Sequence, residues 1–325
     1  MKLALAGTSV FGALILRALL LSSHDVVMVV TQPDRPAGRG RGLRMSPVKN
    51  LALAEGLRIE QPEKISTPEF VEKMKRTGVE VLAVAAFGQI LREPLLGGLP
   101  CINVHASLLP KYRGAAPIER AIMAGERETG ISIMDITPKV DTGAVYMQRV
   151  VPIGDEDDAG SMYEKLGQAG GEALAEVLEA IDREGMQPTS QDESAATYIE
   201  KISSADREID WLRPALEIAD QVRGLSPHIG AYTATGEGHR LKILKAVAAE
   251  VPAESPPQTD SDVSDQAMAV EPGEVVIVGG RLFVRCGAGA LELIEVQPEG
   301  KRRMDASDFI RGHGKVIEGQ KFGEH

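Results

Sequence analysis

The sequence predicts an α/β protein: a doubly wound, mostly parallel sheet domain followed by a smaller β-barrel domain. Three observations predict it. Up to about residue 185, short apolar runs alternate with helical patterns, the signature of a parallel sheet covered by helices. After Gly185 the period dissolves into QPTSQDESAATYIEKISSADREIDW, polar and unpatterned, as inter-domain segments are. Beyond Trp211, short strand-like runs are separated by glycine pairs, as in a small β-barrel or open sheet. A chain of 325 residues has room for two domains, each burying its own core.

In order, Lys2 to Ala6 reads as a strand and Val10 to Leu21 as a helix. The run LALAGTSVFGALILRALLL looks superficially like a secretory leader, but Gly7 and Gly12 interrupt it and Arg17 charges it. Asp25 to Val30, Val79 to Ala86, Cys101 to Val104 and Gly130 to Ile136 read as further strands. Pro68 to Arg76 reads as a helix capped by Thr67, with Pro68 at the first helical position, where its missing N–H costs nothing. Ser161 and Glu164 have the spacing of a capping box, continued by the stripe Leu166, Leu174, Val177, Leu178 and Ile181. Past the polar stretch come a helix from Pro214 to Arg223 and strands at Leu241 to Val247, Glu274 to Val278, Arg281 to Arg285 and Ala290 to Val296. The expected division is an α/β domain over 1–188, a linker over 189–206, and a β domain over 207–316 with an acidic insertion near 250–272.

Charge depends on position. Thirty-six Lys and Arg against 47 Asp and Glu leave −11, which argues against general nucleic-acid binding, DNA included. Yet from Ala246 to Gly280 there are seven acids and no Lys or Arg, so most of the excess belongs to one solvated insertion. From Asp34 to Lys49 the balance reverses: Arg35, Arg39, Arg41, Arg44 and Lys49 against Asp34 give +4 on a Gly- and Pro-rich loop, long for a parallel-sheet connection. The composition is 43% hydrophobic and 26% charged, that of a soluble globular chain, and no run approaches a membrane span. Cys101 and Cys286 are too few for a disulfide framework or a Cys-rich metal site, so a reducing cytoplasmic setting is expected. Gly7-Thr8-Ser9-Val10-Phe11-Gly12 follows a strand and opens a helix, but lacks the spacing of a dinucleotide or Walker turn.

The informative stretch is CINVHASLLPKYRGAAPIERAIMAGERETGISIMDITPKVDTG, residues 101 to 143. Side chains two apart share a strand face, so Asn103 and His105 project together at the carboxyl end of a core strand, where open α/β sheets hold ligands. An amide beside an imidazole offers two donors to an oxygen that gains charge when a carbonyl is attacked. A lone strand-end histidine is commonly just a satisfied one, and Asp-x-Gly is ordinary turn chemistry. Taken together, however, the turn of Asp141-Thr142-Gly143 can bring Asp141 to His105, orienting the ring. The three fit acyl-type transfer without naming the acyl group.

Residues 101 to 143 resemble the signature of the methionyl-tRNA formyltransferases, which shares Asn-x-His and a later Asp-x-Gly with the wider 10-formyltetrahydrofolate-dependent transferases. AAFGQIL at 85–91, TQPDRPAGRGRGLRMSPVK at 31–49 and Ile209-Asp210-Trp211 are similar to that family too; Ala106 departs from its usual Gly, and the acidic insertion is longer than usual. The resemblance implies a Rossmann-like domain followed by an OB-like barrel. It implies formyl transfer from 10-formyltetrahydrofolate to the α-amine of initiator methionyl-tRNA; separately, a monomer with no metal and no membrane partner is expected. Asn103 and His105 would hold the oxyanion, with Asp141 orienting His105 and moving protons. Folate would meet Ser107, Leu108, Leu109 and Pro110 with Phe87, Gly88, Gln89, Ile90 and Leu91. The tRNA would meet Arg35, Arg39, Arg41 and Arg44. Charge clustering adds a second basic group, Lys301, Arg302 and Arg303 with Arg240, Lys242 and Lys245, as an expected tRNA face of the β domain, since barrels commonly bind nucleic acid. The rivals are a formyltransferase acting on a small amine, such as a sugar nucleotide or glycinamide ribonucleotide, and a non-catalytic RNA-binding protein.

Overall fold

Apolar strands and well-capped helices build the first part of the chain. The computed structural model describes residues 1–37, 42–252 and 271–323; Arg39, Arg41 and residues 253–270 of the acidic stretch lie outside them. The elements begin with β1 (Lys2–Gly7), α1 (Val10–Leu20), β2 (Asp25–Val30), β3 (Arg35–Ala37), β4 (Gly42–Arg44), α2 (Pro47–Ala54), β5 (Ile59–Glu60), α3 (Pro68–Arg76) and β6 (Val81–Ala85). They continue with α4 (Leu95–Gly98), β7 (Cys101–His105), β8 (Arg113–Gly114), α5 (Pro117–Met123), β9 (Glu128–Asp135), β10 (Val145–Pro152), α6 (Ala159–Glu184) and β11 (Tyr198–Ile199). Each early helix starts on a hydroxyl that takes up an otherwise unpaired amide: Ser9 accepts from Gly12, Ser46 from Lys49 and Thr67 from Phe70. The α6 helix differs from expectation, because it already begins at Ala159 and Ser161 sits inside its first turn rather than capping it.

The large sheet runs β10-β9-β7-β6-β1-β2-β5. Its β5, β2, β1, β6 and β7 are parallel, and β9 and β10 add antiparallel edges. Leu3 to Ala6 of β1 are fully buried, as a strand covered on both faces requires. The chain leaves β1 toward β2 on one side and returns to β6 on the other, so the crevice at their carboxyl ends is the topological switch point where such sheets bind ligands. Thr8, just past β1, closes one side of it: its N–H donates to the Ala86 carbonyl (3.2 Å) and its hydroxyl to the Phe87 carbonyl (2.8 Å). Gly12 serves packing there, since a Cβ would lie 2.8 Å from the Ala85 oxygen.

The chain divides into two compact units. The first comprises Met1–Ile118, Arg127–Asp155 and Ser161–Lys201; the second comprises Glu119–Glu126, Glu156–Gly160 and Ile202–His325. The stretch read as a linker, 189–206, is thus shared between them, and β11 within it pairs with β8 of the first unit. In the second unit are α7 (Ala215–Leu225), β12 (Ala231–Ala234), β13 (Arg240–Ala249), β14 (Val275–Val278), β15 (Arg281–Arg285), β16 (Ala290–Pro298), β17 (Met304–Asp305) and α8 (Ala306–Ile317). The strands form an antiparallel sheet, β12-β13-β16-β15-β14 with β17 on β16, and two irregularities bend β13. Its core gathers Trp211, Ile218, Ile243, Leu282, Val296 and Phe309, and the Trp211 indole donates to Thr233 Oγ1 (3.0 Å). No helix among the described residues is long and apolar enough to cross a membrane.

One ion pair anchors this unit. Arg120 grips Asp206 through two bonds (2.5 and 2.9 Å), and Ser203 adds its N–H and hydroxyl (2.7 Å each), so the Arg120 guanidinium holds the Asp206 carboxyl well below the usual range. Charge-assisted bonds of this kind contribute about 1.5–3 kcal/mol when lost. Asp206→Asn is therefore expected to cost about 2 kcal/mol at pH 7 in urea unfolding. A lowered folded-state value stabilises above the unfolded carboxyl's value, about 3.9, so the gap between wild type and variant closes as pH falls below about 4. A gap that stays constant down to pH 3 contradicts this account.

Candidate active site

Asn103 and His105 stand on one face of β7 at the switch-point end, yet they meet different surroundings. Asn103 is half-buried and lines a cavity of about 180 Å³ with Gln89, Ile90, Leu91, Asp141 and the turn from Thr137 to Val140. Its amide makes no side-chain hydrogen bond among the described residues, so it is free to meet a ligand oxygen. His105 is 6% exposed, and its Nε2 lies 3.0 Å from the Tyr112 carbonyl. A carbonyl only accepts, so Nε2 carries the proton and donates it there. The other nitrogen, Nδ1, faces Asp141 Oδ2 at 3.6 Å, close but beyond a hydrogen bond. The expected pair of donors aimed at one oxygen is thus divided: Asn103 opens onto the cavity, while both nitrogens of His105 face protein acceptors.

Asp141 is positioned by its backbone as much as by its carboxylate. Its φ of 50° is left-handed, a region that aspartate enters more readily than most non-glycine residues. Oδ2 accepts the Gly114 N–H (2.8 Å), and the Gln191 amide donates to the carbonyls of Asp141 (2.9 Å) and Gly143 (2.7 Å). Gly143 must be glycine, because a Cβ there would lie 1.8 Å from the Asp135 oxygen. Gln191 is fixed in turn by Arg113, whose side chain has no exposed surface and which also binds Glu193 and Tyr198. The sequence reading missed Arg113, Gln191 and Glu193. They meet across 78 and 80 residues of chain, and neither periodicity nor a local motif marks them.

The residues expected to hold folate separate into two groups. Gln89, Ile90 and Leu91 line the cavity beside Asn103 and Asp141. Phe87 and Gly88 form the bend that leads there: Phe87 is buried with its carbonyl taken by Thr8 and Gln32, and Gly88 has φ 86°. Gln89 does not present its amide to a ligand, since Oε1 accepts from Ile65 N–H (2.9 Å) and Nε2 donates to the Pro62 carbonyl (3.1 Å). Ser107, Leu108, Leu109 and Pro110 do not line this cavity. They form a turn held internally, in which Ser132 Oγ donates to the Ser107 carbonyl (2.7 Å) and accepts from Leu109 N–H (3.0 Å), while Gln148 donates to the Leu109 carbonyl (2.7 Å).

The basic loop is a hairpin of β3 and β4 that places Arg35 directly opposite Arg44. Both are exposed, and among the described residues neither has an acidic partner. Asp34 does not serve them, because it is paired with Lys49 and bonded to Gln61 Nε2 (3.0 Å), and these contacts keep its carboxyl below the usual range. In the second unit, Arg240 lies 4.4 Å over the Tyr232 ring, and Arg303 is paired with Glu295.

Two family models match the chain, "Formyl transferase" over residues 1–178 and "Formyl transferase, C-terminal domain" over 201–314. A methionyl-tRNA formyltransferase of Methylococcus capsulatus is 41% identical across 99% of this chain and 100% of its own length. That of Symbiobacterium thermophilum is 45% identical across 98% of this chain and 94% of its own. The fold also matches the crystal structure of Aquifex aeolicus HypX in complex with tetrahydrofolic acid, with a TM-score of 0.62 at 17% identity; 98% of this chain is covered, spanning 48% of that one. With both family models in register and full-length relatives above 40% identity, the chain belongs to the methionyl-tRNA formyltransferase family of formyl transferases.

Proposed function

We propose that the cavity lined by Asn103 and Asp141 is where the chain formylates the α-amine of initiator methionyl-tRNA, with 10-formyltetrahydrofolate as the donor. Formylation of methionyl-tRNA is the activity of the family. The observation that carries the siting is the meeting of Asn103, Asp141 and the Gln89–Leu91 loop around one cavity at the sheet's switch point. About 180 Å³ suits the flat pterin end of a folate rather than a whole ligand, for which about 300–1,000 Å³ is usual.

A free α-amine has a pKa of about 7.7–8.0, so much of it is neutral near pH 7.5 and needs alignment more than deprotonation. Its nitrogen attacks the formyl carbon, and the carbonyl oxygen gains charge that the free Asn103 amide meets. The Nε2 proton of His105 is committed to Tyr112, so Nδ1 and Asp141 form the acceptor pair for the amine's proton. The bond from the formyl carbon to N10 then breaks with its electron pair going to N10, and the pair returns the proton there. One formyl group has been exchanged for one hydrogen. The cytoplasm, where translation uses the product, is the setting this reading carries.

The test is direct. Purified protein with 10-formyltetrahydrofolate and methionyl initiator tRNA yields formyl-methionyl-tRNA, and yields no product with glycinamide ribonucleotide or an amino-sugar nucleotide. Preferential formylation of a small amine overturns the reading.

A further inference from the structure

We propose that Gln191 is a positioning residue that sets the place of Asp141, and that Arg113 is buried in order to orient Gln191. This rests on the reading of Asp141 as part of the proton-handling pair. Arg113 uses all five of its N–H donors: two on Gln191 Oε1 (3.1 and 2.8 Å), two on Glu193 (2.9 and 2.7 Å) and one on the Tyr198 hydroxyl (2.9 Å). Burying a charge gains little stability over apolar packing of the same volume, so its use lies in specificity. The specificity here is directional. Arginine only donates, so Gln191 must turn Oε1 toward it, and the two hydrogens of Nε2 are then forced onto the carbonyls of Asp141 and Gly143. Every hydrogen-bonding position of Gln191 is filled, and the filled set holds the turn that carries a left-handed Asp141.

Gln191→Glu separates positioning from packing. The new side chain keeps the shape and pairs well with Arg113, but has no N–H to give the two carbonyls and repels them. A misplaced reacting group costs up to about 10²-fold, so kcat is expected to fall roughly 10- to 100-fold, with KM for both substrates within about threefold of wild type. Two bonds to backbone carbonyls are lost, so the melting temperature falls by several degrees while the variant stays folded at assay temperature. Hydrogen exchange at the Gly114 amide reads the placement of Asp141 without turnover, since that N–H is bonded to Asp141 Oδ2. It is expected to exchange at least about tenfold faster in the variant. Unchanged Gly114 exchange overturns the proposal, as does kcat within twofold of wild type. Wild-type protein that forms no formyl-methionyl-tRNA instead removes the functional reading, and the exchange measurement still decides the positioning.

Discussion

Asn103→Ala is expected to lower kcat by about 10² to 10³-fold, the usual cost of deleting an oxyanion donor, while leaving KM for folate and tRNA nearly unchanged. The structure makes the comparison clean. Asn103 is half-buried and its amide has no protein partner among the described residues, so truncation breaks no internal bond and the fold should retain its stability. A ground-state role would instead raise KM at constant kcat. Asn103→Asp tests the sign of the charge, because a carboxylate of the same size repels a developing oxyanion and should be no better than alanine. Full turnover in Asn103→Ala would remove Asn103 from the chemistry and leave the cavity as a binding site only.

What was legible in the sequence was whatever depends on neighbours along the chain. Thr67 and Pro68 announce α3 because caps are local, and β7 places Asn103 and His105 on one face because the strand period is two. Asp141 does approach His105, but not by the expected route: β9 runs antiparallel to β7, so the turn between β9 and β10 starts near the amino end of β7 and must fold back to bring Asp141 to His105. The bond that occupies His105 Nε2 was not legible: the Tyr112 carbonyl reaches it from a residue at φ 60°, a local conformation no composition reveals. The Arg113 cluster was hidden for a different reason. Gln191 and Glu193 lie in a polar stretch without period, and polar residues read as solvated until the buried charge they neutralise is seen. Ser161 shows the reverse error, a motif with the right spacing inside a helix that had already started.

Replacing Arg35, Arg39, Arg41 and Arg44 together with alanine is expected to raise KM for tRNA by about 10- to 100-fold at physiological salt, with KM for folate unchanged. The structure sharpens the charge argument. Asp34 and Lys49 neutralise each other, so the loop's +4 resides on the four arginines alone. Two of these, Arg35 and Arg44, face each other across a hairpin, an arrangement that costs stability unless an anion relieves it. A phosphate backbone supplies that anion, and each phosphate neutralised contributes roughly 0.7 to 0.9 to the slope of log affinity against log salt. The decisive readout is therefore the slope rather than the affinity. If all four contact phosphates, the slope for tRNA falls by about 3; if only Arg35 and Arg44 do, the double variant accounts for the whole loss, at about 1.5. An unchanged slope in the quadruple variant would mean that the hairpin's charge is idle, and tRNA affinity would then have to come from the second unit, where Arg303 is already paired with Glu295.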